Sequence, residues 1–369
     1  MYDLYDRILG SLVAAGMGDG IGGPTEAMSR AEILQRFGGP IEGFVPPTGN
    51  FYCEGNETGE VTDDTSQLVE VAKAVIKANG DLTVEDAADA LLAWSENWPK
   101  HYPRNAGPTM REWVVDYKKY KETGIGEGPI ALGKVGMKYG RGISNGCAMR
   151  VSPAALVNPG NLEKTIENTV TLTRVSHGTQ HAISGACAVA CAISEALTEK
   201  ADVHSILKAG IYGCKRGEEI GKQIGREAYG PRVLPRLLRG IEIAYAADDP
   251  YQASRMLEDE IGCNGDIQPS VGVVFGLFAA NDGDIQKCLL AAANIGGDTD
   301  TFGCIIGMIC GAYKGFSTIP EEWKEKFAAG NPRMFSMSDE EIPFSVDRAA
   351  DMQFKPMAKA IYEIAKKRN

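Results

Sequence analysis

Positive charge is scarce in this 369-residue chain: 38 Lys and Arg face 49 Asp and Glu, for a net charge of −11. No run of Lys or Arg offsets that balance, which excludes nonspecific nucleic-acid binding by charge. Long apolar runs are missing as well. The stretches Ile183 to Ile193 and Cys304 to Tyr313 are too short to span a bilayer and carry glycines, so they read as buried helices. Met1 to Arg7 is acidic and lacks the basic flank and apolar stretch of a signal peptide. The nine cysteines, an odd number without paired spacing, do not form a disulfide framework. They fit a reducing compartment, with the cytoplasm as the default expectation. Clean apolar–polar alternation is rare too; only Phe44, Val45 and their neighbours suggest a short extended piece.

Helical periodicity fills the chain instead. Leu68, Val71, Ala72, Val75 and Ile76 make one face of a helix ending near Gly80. Thr83 and Asp86 have the spacing of a capping box ahead of Ala87, Ala90, Leu91 and Trp94. Further helical stretches are expected at 162–175, 182–198, 205–212, 254–261, 271–280, 285–293, 302–313 and 352–366. With 44% hydrophobic and 24% charged residues, there is ample material for a core. No repeat, low-complexity segment or linker divides the chain. The expectation is an all-α fold, one compact multi-helix domain over 1–369, with an irregular excursion at about 98–141 that is rich in Pro and Gly.

Two acidic clusters stand out, Thr62-Asp63-Asp64-Thr65 and Asp298-Thr299-Asp300-Thr301, each opening onto a helical pattern. Asp and Thr without neighbouring His or Cys offer hard oxygen ligands, which suit Mg²⁺, Mn²⁺ or Ca²⁺ rather than zinc or copper. A carboxylate at a helix start also caps free amides, so capping accounts for one such residue. It does not account for four, because close carboxylates repel. Gly296 and Gly297 let the backbone turn sharply into the second helix.

Three further motifs are weaker taken singly. Gly18-Asp19-Gly20-Ile21-Gly22-Gly23 has neither the spacing nor the Lys of a P-loop, and the apolar Ile8 to Met17 before it reads as helix, not strand. Its glycines suit either a phosphate cradle or a close helix crossing by Gly16, Gly18 and Gly22. Glu26 follows Pro24 at a turn, where it faces either a cleft or solvent. Ser144-Asn145-Gly146 enters a helix-like stretch, as a plain cap or as amides for a phosphate. His177 and His181 have the spacing of zinc ligands on one helix face, but no third soft ligand is near. Cys187 and Cys191 read as core.

Taken in order, these segments resemble the ADP-ribosylglycohydrolase family, of the dinitrogenase-reductase activating glycohydrolase and ADP-ribosyl-acceptor hydrolase type. The likeness runs from Gly10 to Gly315. It implies an all-helical domain with a binuclear Mg²⁺ or Mn²⁺ centre that hydrolyses the glycosidic bond at C1 of ribose in ADP-ribosyl conjugates. Thr62, Asp63, Asp64, Asp298, Asp300 and Thr301 would be the metal ligands. A metal-activated water would attack C1, with Glu26 or Asp63 as general base. Ser144, Asn145, Gly146, His177, Gly296 and Gly297 would bind substrate.

The sequence departs from the family pattern at Ser144 and Cys147, where glycine or alanine is frequent, at Ile143, where an aromatic is, and at Pro269-Ser270, where Glu-Ser is. The adenosine side therefore matches less well than the metal side, and a smaller N-riboside is an alternative substrate. Trp98, Tyr102 and Tyr117 would then supply stacking surface. A binding module without turnover is the non-enzyme alternative. The expected partner is a ribosyl or ADP-ribosyl compound, free or on a modified protein, with no nucleic acid or membrane.

Overall fold

A computed structural model describes residues 2–130, 142–338 and 353–368. The first part of the chain forms helices α1 (Leu4–Gly22), α2 (Arg30–Phe37), α3 (Asp63–Lys77), α4 (Val84–Asn97) and α5 (Pro108–Thr123). The middle adds α6 (Ser152–Leu156), α7 (Leu162–Ser176), α8 (Gln180–Ala196), α9 (Val203–Ile224) and α10 (Val233–Ala246). The last third contributes α11 (Pro250–Glu260), α12 (Ile267–Ala280), α13 (Ile285–Ile295), α14 (Thr299–Lys314), α15 (Glu321–Gly330) and α16 (Phe354–Arg368). Among the described residues there is no strand, and the fold is all-α, as the periodicity requires. None of these helices is long and apolar enough to cross a membrane.

The centre is the pair α1 and α14, both buried along most of their length. A helix apolar on every side belongs in the core, and these two meet along a seam of small residues four apart. A Cβ on Gly10 would lie 2.5 Å from the Gly311 carbonyl oxygen, and one on Gly18 would lie 2.0 Å from that of Gly303. Gly22 meets Thr299 at 2.3 Å, and Gly307 meets Ala14 at 2.2 Å. The glycine-rich motif is thus a helix crossing at Gly18 and Gly22, while Gly16 faces the Phe327 ring. This backbone contact carries Asp19, on α1, to the first turn of α14.

Most expected helices are present, including the capping box of Thr83 and Asp86 at α4. Cys187 and Cys191 are buried core residues on α8. Others went unread. The excursion at 98–141 is not irregular throughout, since α5 occupies 108–123 with Pro108 at its first turn and Gly124 in the left-handed region just past its end. Pro is tolerated at that first position and Gly favoured at that last one, so both punctuated a helix rather than a loop. Residues 131–141, and Met352 of the last expected stretch, lie outside the described residues. No strand forms at Phe44 and Val45; Phe44 packs against Trp323 and Phe327.

Candidate active site

The two acidic clusters, far apart in sequence, open onto one cleft because α3 and α14 both start beside Asp19. Thr62 stands at the N-cap of α3, yet its side chain caps nothing in its own helix. Asp19 does that work from α1. Its carboxylate accepts from the backbone N–H of Thr62 and Thr65, each at 3.0 Å, and from their hydroxyls at 2.8 and 2.6 Å. With the free amides of α3 satisfied by Asp19, the side chains of Asp63 and Asp64 are released from capping. The single hydroxyl proton of Thr62 is directed to Asp19, which leaves its lone pairs available on the side of Asp64, 3.4 Å away.

At α14, Gly296 and Gly297 take φ of +93° and +76°, and a Cβ on Gly297 would lie 1.9 Å from the Cys263 carbonyl oxygen. The turn they make is tied to the Glu26 segment: Ala27 N–H donates to Gly297 O, and Gly297 N–H to Met28 O, both at 2.8 Å. Asp298 is likewise no side-chain cap. It accepts a short hydrogen bond from Asn145 Nδ2, which also donates to Ser270 Oγ at 2.9 Å. Asn50 holds the other side of the Glu26 turn. Its Nδ2 donates to the Glu26 carbonyl at 2.8 Å and its Oδ1 accepts from Tyr52 N–H at 2.9 Å.

The result is a concentration of buried acid. Carboxylate oxygens of Asp19, Asp64 and Asp300 lie within 4.8 Å of one another, and so do those of Glu26, Asp298 and Asp300. Burial first, and then the neighbouring carboxylates, push Glu26, Asp63 and Asp64 well above the ordinary carboxylate range. Burial together with Asp298 brings Asp300 to about 8, and burial raises Asp19 to about 6 against its four hydrogen-bond donors. Asp298 is raised by burial as well. Arg150 is the buried cation that opposes Asp63 and Asp64; burial lowers its pKa to about 10, so it stays charged at neutral pH.

One guanidinium does not balance six carboxylates. Among the described residues, Glu26 Oε2 and Asp64 Oδ1 are buried with no hydrogen-bond partner, and an all-oxygen donor set with unmatched acceptors fits a hard divalent cation. Asp19 already accepts four hydrogen bonds, which suits it to orient Thr62 and Thr65 rather than to act as a ligand.

The cleft above this cluster has a volume of about 290 Å³. Glu26, Asp63, Asp64, Asp298, Asp300 and Thr301 line it, together with Ser144, Asn145, Gly146 and His177 and with Asn105 and Gly107 to Met110. Thr62 lies buried beside the cluster, and Gly296 and Gly297 shape the backbone without lining the cleft. Trp98 stacks on His101, Tyr102 meets Trp94 edge-on and Tyr117 is buried against Trp113, so none of these three aromatics is in the cleft. Tyr52 is. His177 ends α7 and His181 lies in the first turn of α8, so the two do not share a helix face.

Asp19, Asn50, Tyr52, Gln67 and Arg150 were not singled out from the sequence. For Asp19 a signal existed: a lone carboxylate inside a helix that is otherwise apolar or small.

The profile of a family described as ADP-ribosylglycohydrolase matches residues 1–351. The chain is 28% identical over 335 residues to the uncharacterised protein YegU of Escherichia coli (strain K12), covering 90% of this chain and 94% of that one. It is 27% identical to the ADP-ribosyl-[dinitrogen reductase] glycohydrolase of Rhodospirillum rubrum, with 88% and 90% covered. The ADP-ribosylarginine hydrolase Tri1 of Serratia proteamaculans (strain 568) is 24% identical, with 87% and 75% covered. A solved structure described as an ADP-ribosylglycohydrolase-related protein complex superposes with a TM-score of 0.61 at 21% identity, over 98% of this chain and 99% of that one, and shares its fold. With the fold, the acidic cleft and the profile in agreement, the chain belongs to the ADP-ribosylglycohydrolase family.

Proposed function

We propose that the protein hydrolyses the glycosidic bond at C1 of ribose in an ADP-ribosyl conjugate, with two Mg²⁺ or Mn²⁺ ions as cofactors. The observation that carries this reading is the convergence of five carboxylates on one cleft, with Asp19 buried beside them; two of the five have oxygens unmatched among the described residues. Relatives named as ADP-ribosyl hydrolases support the substrate class.

Thr62, Asp63, Asp64, Asp298, Asp300 and Thr301 would hold the cations. When bound, they supply positive charge that lowers the pKa of a water and fixes the ribose hydroxyls. Glu26, or Asp63, takes the proton of the attacking water as its oxygen bonds to C1 and the bond to the leaving group breaks. A positioned carboxylate in that role contributes about 10²–10⁴-fold. Asp63 is oriented for it by Gln67, whose Nε2 donates to Oδ2 at 2.9 Å. The same carboxylates stabilise oxocarbenium character at C1. Asn145 holds Asp298 in place, and Ser144, Gly146 and His177 form the wall that receives the rest of the substrate, a small conjugate or a modified protein. Cytoplasmic placement belongs to the same reading.

A second reading, a hydrolase of small N-ribosides, draws on the volume of about 290 Å³, which is near the lower bound of roughly 300 Å³ for drug-sized pockets. Turnover of ADP-ribosyl-arginine, O-acetyl-ADP-ribose and simple nucleosides, each with Mg²⁺ or Mn²⁺, separates the two. Release of ADP-ribose from either conjugate is the expected result. Turnover of nucleosides alone would favour the second reading, and tight binding of ADP-ribose without turnover would indicate a binding module.

A further inference from the structure

A chain of hydrogen bonds links Asp63 and Gln67 on the cleft to His177 and Ser144 on it, passing behind the lining through Arg150 and Ser176. Asp63 Oδ2 accepts from Gln67 Nε2, and Gln67 Oε1 accepts from Arg150 Nη1. Arg150 Nη2 donates to Ser176 Oγ at 2.5 Å. Ser176 Oγ lies 2.8 Å from His177 Nδ1, and His177 Nε2 lies 2.8 Å from Ser144 Oγ. Gln67, Arg150, Ser176 and His177 are buried, whereas Ser144 is partly exposed on the cleft wall.

Arg150 gives this chain a direction, because a guanidinium only donates. Toward Asp63, the Gln67 amide must present its oxygen to Arg150, which turns its NH₂ onto the carboxylate. Toward Ser144, Ser176 accepts from Arg150 and has one proton of its own to give. The acceptor within reach is His177 Nδ1. A neutral imidazole that accepts at Nδ1 carries its proton on Nε2, and burial, then Arg150, hold His177 in the neutral form. Nε2–H therefore donates to Ser144 Oγ. The Ser144 hydroxyl proton then has no call from His177 and is free to point into the cleft.

We propose that Arg150 and Ser176 are positioning residues that hold His177 as the Nε2–H tautomer, and that Ser144 in consequence is a substrate-recognition residue donating a hydrogen bond to an acceptor oxygen of the ADP-ribosyl group. The second half rests on the proposed function; the first does not. The acceptor is a phosphate oxygen or a sugar oxygen, and the chemistry at Ser144 is the same for both.

The test has two readouts. Nitrogen-15 NMR of the imidazoles in the ligand-free protein reports the tautomer directly, and four histidines make assignment by single substitution practical. His177 protonated on Nε2 is expected, and Ser176→Ala should make the Nδ1–H form detectable. His177 protonated on Nδ1 in the wild type would overturn the proposal. Calorimetric binding of ADP-ribose, with ribose as the phosphate-free comparison, reads the second half. Ser144→Ala should weaken ADP-ribose about tenfold, the scale of one hydrogen bond to a charged acceptor, and Ser144→Thr should stay within about threefold of wild type. A loss confined to ADP-ribose identifies phosphate as the acceptor, and an equal loss on ribose identifies the sugar. Unchanged affinity in Ser144→Ala would overturn the recognition role. Failure of the wild type to bind ADP-ribose would count against the proposed function and the recognition role together, while the tautomer still decides the direction of the chain.

Discussion

Glu26 and Asp64 each bury a carboxylate oxygen that has no hydrogen-bond partner among the described residues, an arrangement that costs about 1–3 kcal/mol per group when nothing compensates. On the proposed function a bound cation compensates this cost, so the charge of Asp300, which belongs to both carboxylate groups, should matter more than its shape. Asp300→Asn is expected to abolish cation binding by calorimetry and to lower kcat/KM by at least about 10³-fold, since metal-assisted catalysis is lost with it. Glu26→Gln should keep a cation-induced rise in Tm but lower kcat by about 100-fold or more. Near-normal turnover there would assign the base to Asp63, and loss of the Tm response would assign Glu26 to the ligand set.

At this scale the clusters themselves were legible, because adjacent Asp and Thr at a helix start have few other uses. Asp19 lies among glycines that serve helix packing, and a single carboxylate in such a stretch leaves no pattern of its own. Arg150 and Gln67 were hidden because a buried network between helices leaves no spacing in the sequence.

Helices α1 and α14 meet by backbone, and that contact sets the distance between Asp19 and Asp300. Gly18→Ala would force a methyl to within 2.0 Å of the Gly303 carbonyl oxygen, with backbone on both sides and no flexible side chain to yield. Chemical denaturation should show a loss of about 1–3 kcal/mol or more, the scale of overpacking a filled core. Gly43→Ala, where an added Cβ meets nothing within 4 Å, should change stability by no more than about 0.5 kcal/mol. Equal effects at the two positions would contradict the seam.

Long helices with a clear apolar face were readable from periodicity. Helix α2 leaves almost no periodic signal, because Ile33 is its only buried residue, although Ser29 and Glu32 form a capping box. In α10 the buried face is just Val233, Leu237, Gly240 and Ile243. Helix α5 was masked by the surrounding prolines, one of which starts it.

The same carboxylates join the stability of the whole protein to pH and, on the proposed function, to cations. Asp19 at about 6 and Asp300 at about 8 are raised above the value of about 3.9 expected in the unfolded chain. Groups raised in this way stabilise the fold fully below their unfolded pKa and lose that contribution as pH rises through the folded value. The cation-free protein should therefore melt at progressively lower temperature between about pH 5 and 8.5. On the proposed function Mg²⁺ or Mn²⁺ would bind the ionised form, so its stabilising effect should grow across that window. A Tm in chelator that is flat or rises with pH would show that the buried acids are already neutralised by other means.

Use of divalent cations by this acidic cleft to release ADP-ribose can be measured by assaying ADP-ribosyl-arginine with protein stripped by a chelator and then titrated with Mg²⁺ or Mn²⁺. No turnover is expected after stripping, with recovery that saturates with added cation and no recovery in Asp300→Asn. Full activity in the stripped protein, or equal recovery in Asp300→Asn, would contradict that use.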